Sequence, residues 1–330
     1  MHFLYGGGII AGGGAAPPDM FSELWRGMDT IVHIGYHKCA STALQRLFRD
    51  SGAVDYRFVS GSDPSRGKRE VLDELESESP RMDWLRAKLL EGFSGDRPVV
   101  LSHEELSGDP SGRPRPDWRV VADNLKELFP DARILIVIRS QMDYIRSLYA
   151  FRVGLKGEET RSFARFAEEE GVSGLFEKLD YSSLVRRYSE LFGADGVSVV
   201  PLEWLNSDRG RFAAAVSAVV GVDFPEGHPP RPMNASPKNS TVLWFCRFCN
   251  VLFSAVYAPI GWMFPYRVSS KFRFAYYAVK RAVVPVLSRA TPGRTLDNPS
   301  VPDDVVSRWS AGNAEVSRSF DLDLKSLGYP

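Results

Sequence analysis

One stretch of the sequence, Ile31 to Gln45, constrains the fold of this chain more than any other. Its first residues are apolar enough for a buried β-strand, and a short loop with Gly35 and Lys38 follows them. From Leu44 onward, apolar residues recur at helical spacing. The free N–H groups at a helix N-terminus, together with a lysine ammonium, favour the binding of anions. The sequence therefore predicts a strand–loop–helix unit that binds a phosphate-bearing ligand at its loop.

The loop does not match the magnesium-nucleotide loop of P-loop NTPases. That loop has the pattern Gly-x-x-x-x-Gly-Lys-Ser/Thr, in which the Ser or Thr after the lysine holds magnesium. Here Cys39 and Ala40 separate Lys38 from Ser41, and only two residues lie between Gly35 and the lysine. The NTPase pattern therefore fails at several positions.

The stretch resembles the 5′-phosphosulfate loop of sulfotransferases that use 3′-phosphoadenosine 5′-phosphosulfate (PAPS), which runs roughly Tyr-Pro-Lys-Ser-Gly-Thr-Thr-Trp. Aligned on the lysine, the chain departs from this pattern at positions 37, 40 and 43. The resemblance implies that the loop holds the 5′-phosphate of the nucleotide. The residues it assigns to this role are His37, Lys38, Cys39, Ala40, Ser41 and Thr42.

A second motif follows about a hundred residues later. A continuous apolar run, 134–138, ends in Arg139, and Ser147 stands eight positions beyond the arginine. In the family, a strand-end arginine and a serine at this spacing bind the 3′-phosphate, and the planar guanidinium suits bidentate phosphate binding. By itself, such an arginine would more often form a surface ion pair. The phosphate loop upstream favours the nucleotide-binding interpretation.

A further buried strand is predicted at 98–103, and it ends in His103 and Glu104. In doubly wound α/β folds, ligands lie outside the carboxyl ends of the strands, so we expect both residues near Lys38 and Arg139. The resemblance implies a catalytic base at this strand end, a histidine in cytosolic members and a glutamate in several carbohydrate and bacterial members. The sequence offers both and does not separate them. The structural alternative is a helix-capping glutamate beside a solvated histidine.

The remaining chain is expected to complete one α/β domain, since 330 residues with 44% hydrophobic content are enough for a large core. The resemblance implies a P-loop-like fold, with a central parallel sheet and helices on both faces. The glycine-rich residues 1–28 lack the features of a secretory signal and are interpreted as a disordered leader before a single domain, 29–330. The other predicted elements are an exposed loop and surface helix in 60–80, helices near 81–92, 181–192 and 212–220, and a strand at 197–203.

Charge and cysteine content restrict the function. The formal net charge is zero, which gives no indication of nucleic-acid binding. Three cysteines do not indicate an oxidised secreted scaffold, so we expect a cytoplasmic protein. Cys246 and Cys249 form a C-x-x-C pair, but no second Cys/His pair accompanies it. We therefore predict no metal site and interpret the two thiols as buried on a helix face.

The segment 227–296 differs from the rest of the chain, because it contains ten Lys/Arg residues and no Asp or Glu. Three interpretations remain open. The segment is a basic lid over the nucleotide, or an interfacial element that contacts a membrane through 242–281, or a transmembrane helix. Charged and polar residues and two prolines argue against the third. If the segment is a lid, its best nucleotide contacts are Arg231, Asn234, Ser236 and Lys238, for which the alternative is an ordinary turn.

The resemblance implies that an acceptor hydroxyl, deprotonated by His103 or Glu104, attacks the sulfur of PAPS in line. The sulfuryl group passes to the acceptor oxygen, 3′-phosphoadenosine 5′-phosphate (PAP) leaves, and no metal takes part. Lys38 would neutralise the leaving phosphate. The favoured acceptor is a carbohydrate or glycolipid, and a small molecule is also open. Two other functions stay open: a phosphotransferase with Asp143 as magnesium ligand, and a non-catalytic nucleotide- or membrane-binding protein.

Overall fold

The fold is built on a five-stranded sheet in which every neighbouring pair is parallel. The computed structural model describes residues 28–59, 69–108, 117–157, 159–224, 239–263, 266–291 and 296–330. The strands follow the order β2-β3-β1-β4-β5 across the sheet. Their bounds are β1 Thr30–Gly35, β2 Asp55–Phe58, β3 Val99–His103, β4 Arg133–Ile138 and β5 Val197–Pro201.

Helices connect and flank these strands. A short 3₁₀-helix spans Glu104–Ser107, and short π-helices span Arg152–Lys156 and Gly171–Leu175. The α-helices of the described residues are α1 Ser41–Ser51, α2 Glu70–Leu75, α3 Met82–Leu90, α4 Trp118–Leu128, α5 Gln141–Phe151, α6 Phe163–Glu170, α7 Phe176–Lys178, α8 Tyr181–Phe192, α9 Glu203–Ser207, α10 Arg209–Val220, α11 Ser240–Met263, α12 Tyr266–Ala290 and α13 Asp303–Phe320.

The three central strands are buried along almost their whole length and consist mostly of apolar residues, because both faces of the sheet are covered. All residues of β1 and β3 are buried, as are the last five of β4. Parallel strands covered on two faces have such continuous apolar runs instead of alternating ones. The predicted fold class, a P-loop-like α/β fold with a central parallel sheet flanked by helices, is confirmed.

The register brings three strand ends to one edge. Ile34 of β1 pairs with His103 of β3 on one side and with Ile136 of β4 on the other. The chain passes from β3 across β1 to β4, and ligands of open parallel sheets bind where the strand order reverses in this way. The segments that follow β1, β3 and β4 therefore meet at the expected site.

Most predicted elements match the structure. The helices expected near 81–92, 181–192 and 212–220 are α3, α8 and α10, and the strand expected at 197–203 ends at Pro201 because Glu203 opens α9. In the region predicted as a loop and surface helix, α2 buries one face through Val71, Leu72 and Leu75. Residues 60–68 of that region, the predicted leader except Met28, and Arg231, Asn234, Ser236 and Lys238 lie outside the described residues.

The C-terminal residues pack against the same edge of the sheet. Ser140, directly after the β4 strand end, donates its hydroxyl to the carbonyl of Gly328 at 2.9 Å. Asn313 of α13 exchanges side-chain hydrogen bonds with Gln141, the first residue of α5. The C-terminal segment therefore holds the start of α5 in place.

Candidate functional site

The loop after β1 has the backbone of an anion-binding site. Lys38 and Ala40 both adopt left-handed conformations, with φ of 68° and 61°, and α1 begins at Ser41. No side chain caps this helix. Among the described residues, no carbonyl accepts a hydrogen bond from the N–H groups of Ser41 or Thr42. First-turn N–H groups left open in this way bind anions, with support from the helix dipole.

The hydroxyl of Ser41 is a further unused donor at this loop. Ser41 is buried, and its Oγ has no hydrogen-bond partner among the described residues. It lies close to the backbone of Gly35, because a Cβ added to that glycine would be 2.6 Å from Ser41 Oγ and 3.3 Å from Nε2 of His33. Only glycine lets the serine approach so closely. A phosphate oxygen bound at the loop would satisfy this hydroxyl, since buried polar groups normally have partners.

Two cations from different strand ends meet beside the loop. The Arg139 guanidinium donates a hydrogen bond from Nη1 to the carbonyl oxygen of Lys38 at 3.3 Å. The Lys38 ammonium lies 4.4 Å from the ring centroid of Phe151, a cation–π distance. Burial, and then the charge of Arg139, lower the pKa of Lys38. Negatively charged groups of a ligand would relieve the repulsion between the two cations, so the pair is suited to bind an anionic ligand.

Ser147 lies on the same face of α5 as Phe151, one helical turn before it. Its side chain is partly exposed. The strand end itself is fixed by Tyr181, whose hydroxyl donates to the carbonyl of Arg139 at 2.6 Å. The structure thus brings Lys38 and Arg139 together, and Lys38 also lies beside Phe151, on the helix face that carries Ser147. A phosphate contact from Ser147 stays a prediction. Phe151 was not predicted, although its spacing of four from Ser147 is the signal that could have found it.

Glu203 holds the start of α5 and was not predicted as part of the site. Its Oε1 accepts the backbone N–H of Ser140 at 2.9 Å, and its Oε2 accepts the hydroxyl of Tyr329 at 2.9 Å. Burial raises the pKa of this carboxyl, while Arg139 opposes that shift. Glu203 therefore fixes the main chain directly after Arg139, through its hydrogen bond from Ser140.

The two candidate bases at the end of β3 have different environments. Nδ1 of His103 accepts the backbone N–H of Glu105 at 2.9 Å, and the ring packs against Phe58 with centroids 4.7 Å apart. Burial is the largest cause that lowers the pKa of His103 to about 3. With Nδ1 used as an acceptor, the neutral ring carries its proton on Nε2. His103 is therefore a helix cap in this structure, with no basic nitrogen free.

Glu104 is partly buried, and burial raises the pKa of its carboxyl above the ordinary value. The side-chain amide of Gln45, on α1, favours the charged form of this carboxyl and so opposes the shift, and the same amide donates to Oγ of Ser102 at 3.4 Å. The carboxylate therefore lies near the helix that begins at the phosphate loop. A carboxyl with a raised pKa is suited to act as a general base.

Other predicted residues have contacts that bear on their roles. The His37 side chain lies 4.0 Å from the carboxylate of Glu105, which also pairs with Arg69. The thiol of Cys39 is buried, and its backbone N–H donates to the carbonyl of Tyr36 at 3.1 Å. Phosphate contacts from His37, Cys39, Ala40 and Thr42 stay predictions.

Asp143 and the cysteine pair complete the predicted sites. Asp143, the expected magnesium ligand of a phosphotransferase, forms an ion pair with Arg146 on its own helix. Cys246 is buried on α11, and Cys249 is half-buried. Within the described residues, no group of three or more His, Cys, Asp or Glu side chains is arranged to hold a metal ion.

Comparisons with known proteins add solved structures but no sequence relatives. No protein-family model and no curated protein matches the chain. The sulfotransferase from Alicyclobacillus acidocaldarius is similar in structure, with a TM-score of 0.46, 19% identity, and coverage of 69% of this chain and 95% of that one. The sulfotransferase domain of the Synechococcus PCC 7002 olefin synthase has a TM-score of 0.41 and 16% identity over 65% of this chain and 82% of its own.

A third similar structure is mouse sulfotransferase SULT7A1 complexed with PAP, with a TM-score of 0.38, 15% identity, and coverage of 60% of this chain and 61% of that one. All three are sulfotransferases, the class that the sequence motifs resemble. The TM-scores of all three lie below 0.5.

Proposed function

We propose that this chain is a sulfotransferase that uses PAPS as its sulfuryl donor. The observation that carries the proposal is the meeting of Arg139 and Lys38, from neighbouring strand ends, beside a helix N-terminus with open N–H groups. Neither cation has an ion-pair partner among the described residues. Such a site fits a ligand with two separate phosphate groups.

The loop residues are suited to the 5′-phosphate. The N–H groups of Ser41 and Thr42 donate to its oxygens, and the buried hydroxyl of Ser41 supplies a third donor. Lys38 neutralises the charge that grows on the bridging oxygen as this phosphate leaves. Preorganised donors of this kind lower the barrier because they are in place before charge develops.

Arg139 and Ser147 are suited to the 3′-phosphate. A planar guanidinium binds phosphate through two parallel hydrogen bonds, and a hydroxyl two turns into α5 adds another contact. Tyr181 and Glu203 fix the main chain on both sides of Arg139, so the guanidinium is presented from a rigid turn. Nucleotides without a 3′-phosphate should therefore bind weakly.

Of the two candidate bases, Glu104 has the environment that suits proton abstraction from an acceptor hydroxyl. Burial raises the pKa of its carboxyl, which lies near Gln45 of α1. His103 uses its acceptor nitrogen to cap the turn after β3, so it positions Glu104 instead of taking the proton. The activated hydroxyl then attacks the sulfur of PAPS in line, and PAP departs. Transfer of this kind depends mainly on positioning and charge stabilisation.

A carbohydrate or glycolipid is the acceptor that we favour. The following experiment would also detect a small-molecule acceptor. The purified protein is incubated with PAPS labelled in its sulfuryl group and with a total cell extract, and the labelled products are identified. The Lys38→Ala variant is the matched control. We expect one labelled product class that depends on Lys38. Label transfer by the variant at the wild-type rate would contradict the proposal.

No observation favours the phosphotransferase alternative, since Asp143 is paired with Arg146 and no Ser or Thr directly follows Lys38. Activity that EDTA abolishes and magnesium restores would nevertheless support it. A nucleotide-binding protein without activity would bind PAP and label nothing in the extract.

A further inference from the structure

Exposed apolar side chains are concentrated on two helices outside the candidate site. Among the described residues, seven large hydrophobic side chains are exposed, and only Val172 lies on another element. Single exposed hydrophobics are normal on a protein surface, whereas a cluster marks an interaction surface. The other six lie on α11 and α12, which pack against one another and are called the helical pair here. They are Trp244, Phe248, Val251, Leu252, Val279 and Val286.

On α11 these side chains form one stripe. The exposed positions 244, 248, 251 and 252 follow helical spacing, and the rings of Trp244 and Phe248 stack with centroids 5.7 Å apart. Val242, Cys246 and Asn250, on the opposite face, are buried. The helix is thus apolar on its protein-facing side and on its solvent-facing side.

Polar contacts hold the inner face of the helical pair against the domain. Asn250 donates its side-chain amide to the carbonyls of Val153 and Glu159, at 3.0 and 2.7 Å. The buried ammonium of Lys280, on α12, donates to the carbonyl of Val153 at 2.9 Å and to Oδ1 of Asn250 at 3.1 Å. A rotation that turned the apolar stripe inward would break these bonds and leave Lys280 buried without acceptors. The stripe is therefore fixed toward solvent.

The charge around the helical pair is entirely positive in sequence. Residues 227–296 contain ten Lys/Arg and no Asp or Glu, in a chain whose total charge is zero. On α12, Arg281 and Arg289 are exposed, as are Val279 and Val286, and Arg289 lies about one helical turn beyond Val286. Aromatic and aliphatic side chains flanked by arginines are typical of segments that lie in the headgroup region of a membrane, where anionic lipids attract the cations.

We propose that the exposed side of the helical pair docks on an anionic phospholipid bilayer. In this arrangement the helical pair lies flat on the bilayer surface. Within the described residues, no helix is both long and apolar enough to cross a membrane. The stripe of α11 enters the headgroup boundary, and Arg281 and Arg289 contact lipid phosphates. A protein partner would need acidic side chains to face this segment, and association with a second copy of the chain is one of the outcomes tested below.

The experiment measures co-sedimentation of the full chain with vesicles, in the absence of nucleotide. Vesicles of phosphatidylcholine alone are compared with vesicles of phosphatidylcholine and phosphatidylserine at roughly 3:1. We expect binding to the mixed vesicles only. The double variant Trp244→Ser/Phe248→Ser should bind about tenfold more weakly for each ring removed. Val172→Ser, which removes the exposed hydrophobic of another element, is the matched control and should bind like the wild type.

The charge contribution is tested separately. Arg281→Ser and Arg289→Ser should each weaken binding to the mixed vesicles about fivefold, while Arg318→Ser, an exposed arginine of α13, should not. Hydrogen exchange of the wild-type backbone in 244–252 should slow when mixed vesicles are added, and this measurement needs no variant to fold.

Three outcomes would overturn the proposal. The first is an absence of wild-type binding to mixed vesicles, and the second is unchanged exchange in 244–252. The third is a dimer, detected by sedimentation velocity, that the Trp244→Ser/Phe248→Ser variant dissociates while vesicles bind neither form. That result would assign the stripe to a second copy of the chain.

Discussion

Replacement of Gly35 by alanine tests whether the phosphate loop works as the structure indicates. The added Cβ would lie 2.6 Å from Ser41 Oγ, about 1 Å inside an ordinary contact between such atoms. The serine hydroxyl is the atom that must move, because the backbone of β1 is locked between β3 and β4. We therefore expect Gly35→Ala to displace the hydroxyl from its place under the loop.

The expected magnitudes separate binding from folding. Overpacking of a buried site costs about 1–3 kcal/mol of unfolding free energy, so thermal unfolding should shift by several degrees. Loss of a hydrogen bond to a charged phosphate costs about 1.5–3 kcal/mol, so the dissociation constant for PAP should rise about 10- to 150-fold. Isothermal titration calorimetry and differential scanning calorimetry measure the two quantities.

A double variant and a control make the test specific. Gly35→Ala/Ser41→Ala removes the clashing atom, so thermal stability should recover while PAP affinity stays low. Gly210→Ala, in α10, introduces a Cβ with an ordinary 3.5 Å contact to the N-cap residue Asp208, so it should leave PAP affinity unchanged and should not lower thermal stability. Wild-type PAP affinity in Gly35→Ala or in the double variant would refute the role assigned to Ser41.

Three further predictions concern charge and protonation. Lys38→Ala should lower kcat about 10²–10³-fold in the labelled-PAPS assay, and Lys38→Arg should recover part of the loss. Equal kcat values for the wild type and both variants would show that Lys38 has no role in catalysis. Glu104→Gln should lower kcat about 10²–10⁴-fold, whereas His103→Asn keeps a cap acceptor and should retain most activity. The rate should rise with pH through the raised pKa of Glu104, and a limb near pH 3 would instead identify His103 as the base. Burial lowers the pKa of His33 from 6.5 to about 4. Between these two pH values the imidazole is protonated in the unfolded chain and neutral in the folded chain. Stability should therefore fall by about 2 kcal/mol from this group between pH 7 and 5, and urea unfolding of His33→Gln should lack that part of the loss.

Elements with a strong apolar pattern could be predicted from the sequence. The buried runs of β1, β3 and β4 are continuous, and each is followed by residues whose types fit phosphate binding or proton transfer. The edge strand β2 was missed because only Asp55 of its four residues is fully buried, and that residue is charged. Its carboxylate pairs with Arg97, a partner 42 positions away that no local pattern reveals.

The candidate site was predicted only as far as residue type and spacing allow. The meeting of Lys38 and Arg139 follows from parallel strand topology, and spacing places Ser147 on the adjacent helix. The choice between His103 and Glu104 depends on which ring nitrogen caps the turn after β3 and on the burial of the Glu104 carboxyl, and adjacent positions in sequence do not encode that. Phe151 and Glu203 act through contacts across the fold, so type and spacing alone gave them no role.

The central claim is that Lys38 and Arg139 bind opposite ends of one bisphosphorylated nucleotide. Calorimetric titration of the wild type, Lys38→Ala and Arg139→Ala with PAP and with adenosine 5′-phosphate tests it most directly. We predict that the wild type prefers PAP, that Arg139→Ala loses this preference while it still binds the monophosphate, and that Lys38→Ala weakens both ligands. An undiminished preference for PAP in Arg139→Ala, or no binding of PAP to the wild type, would contradict the account.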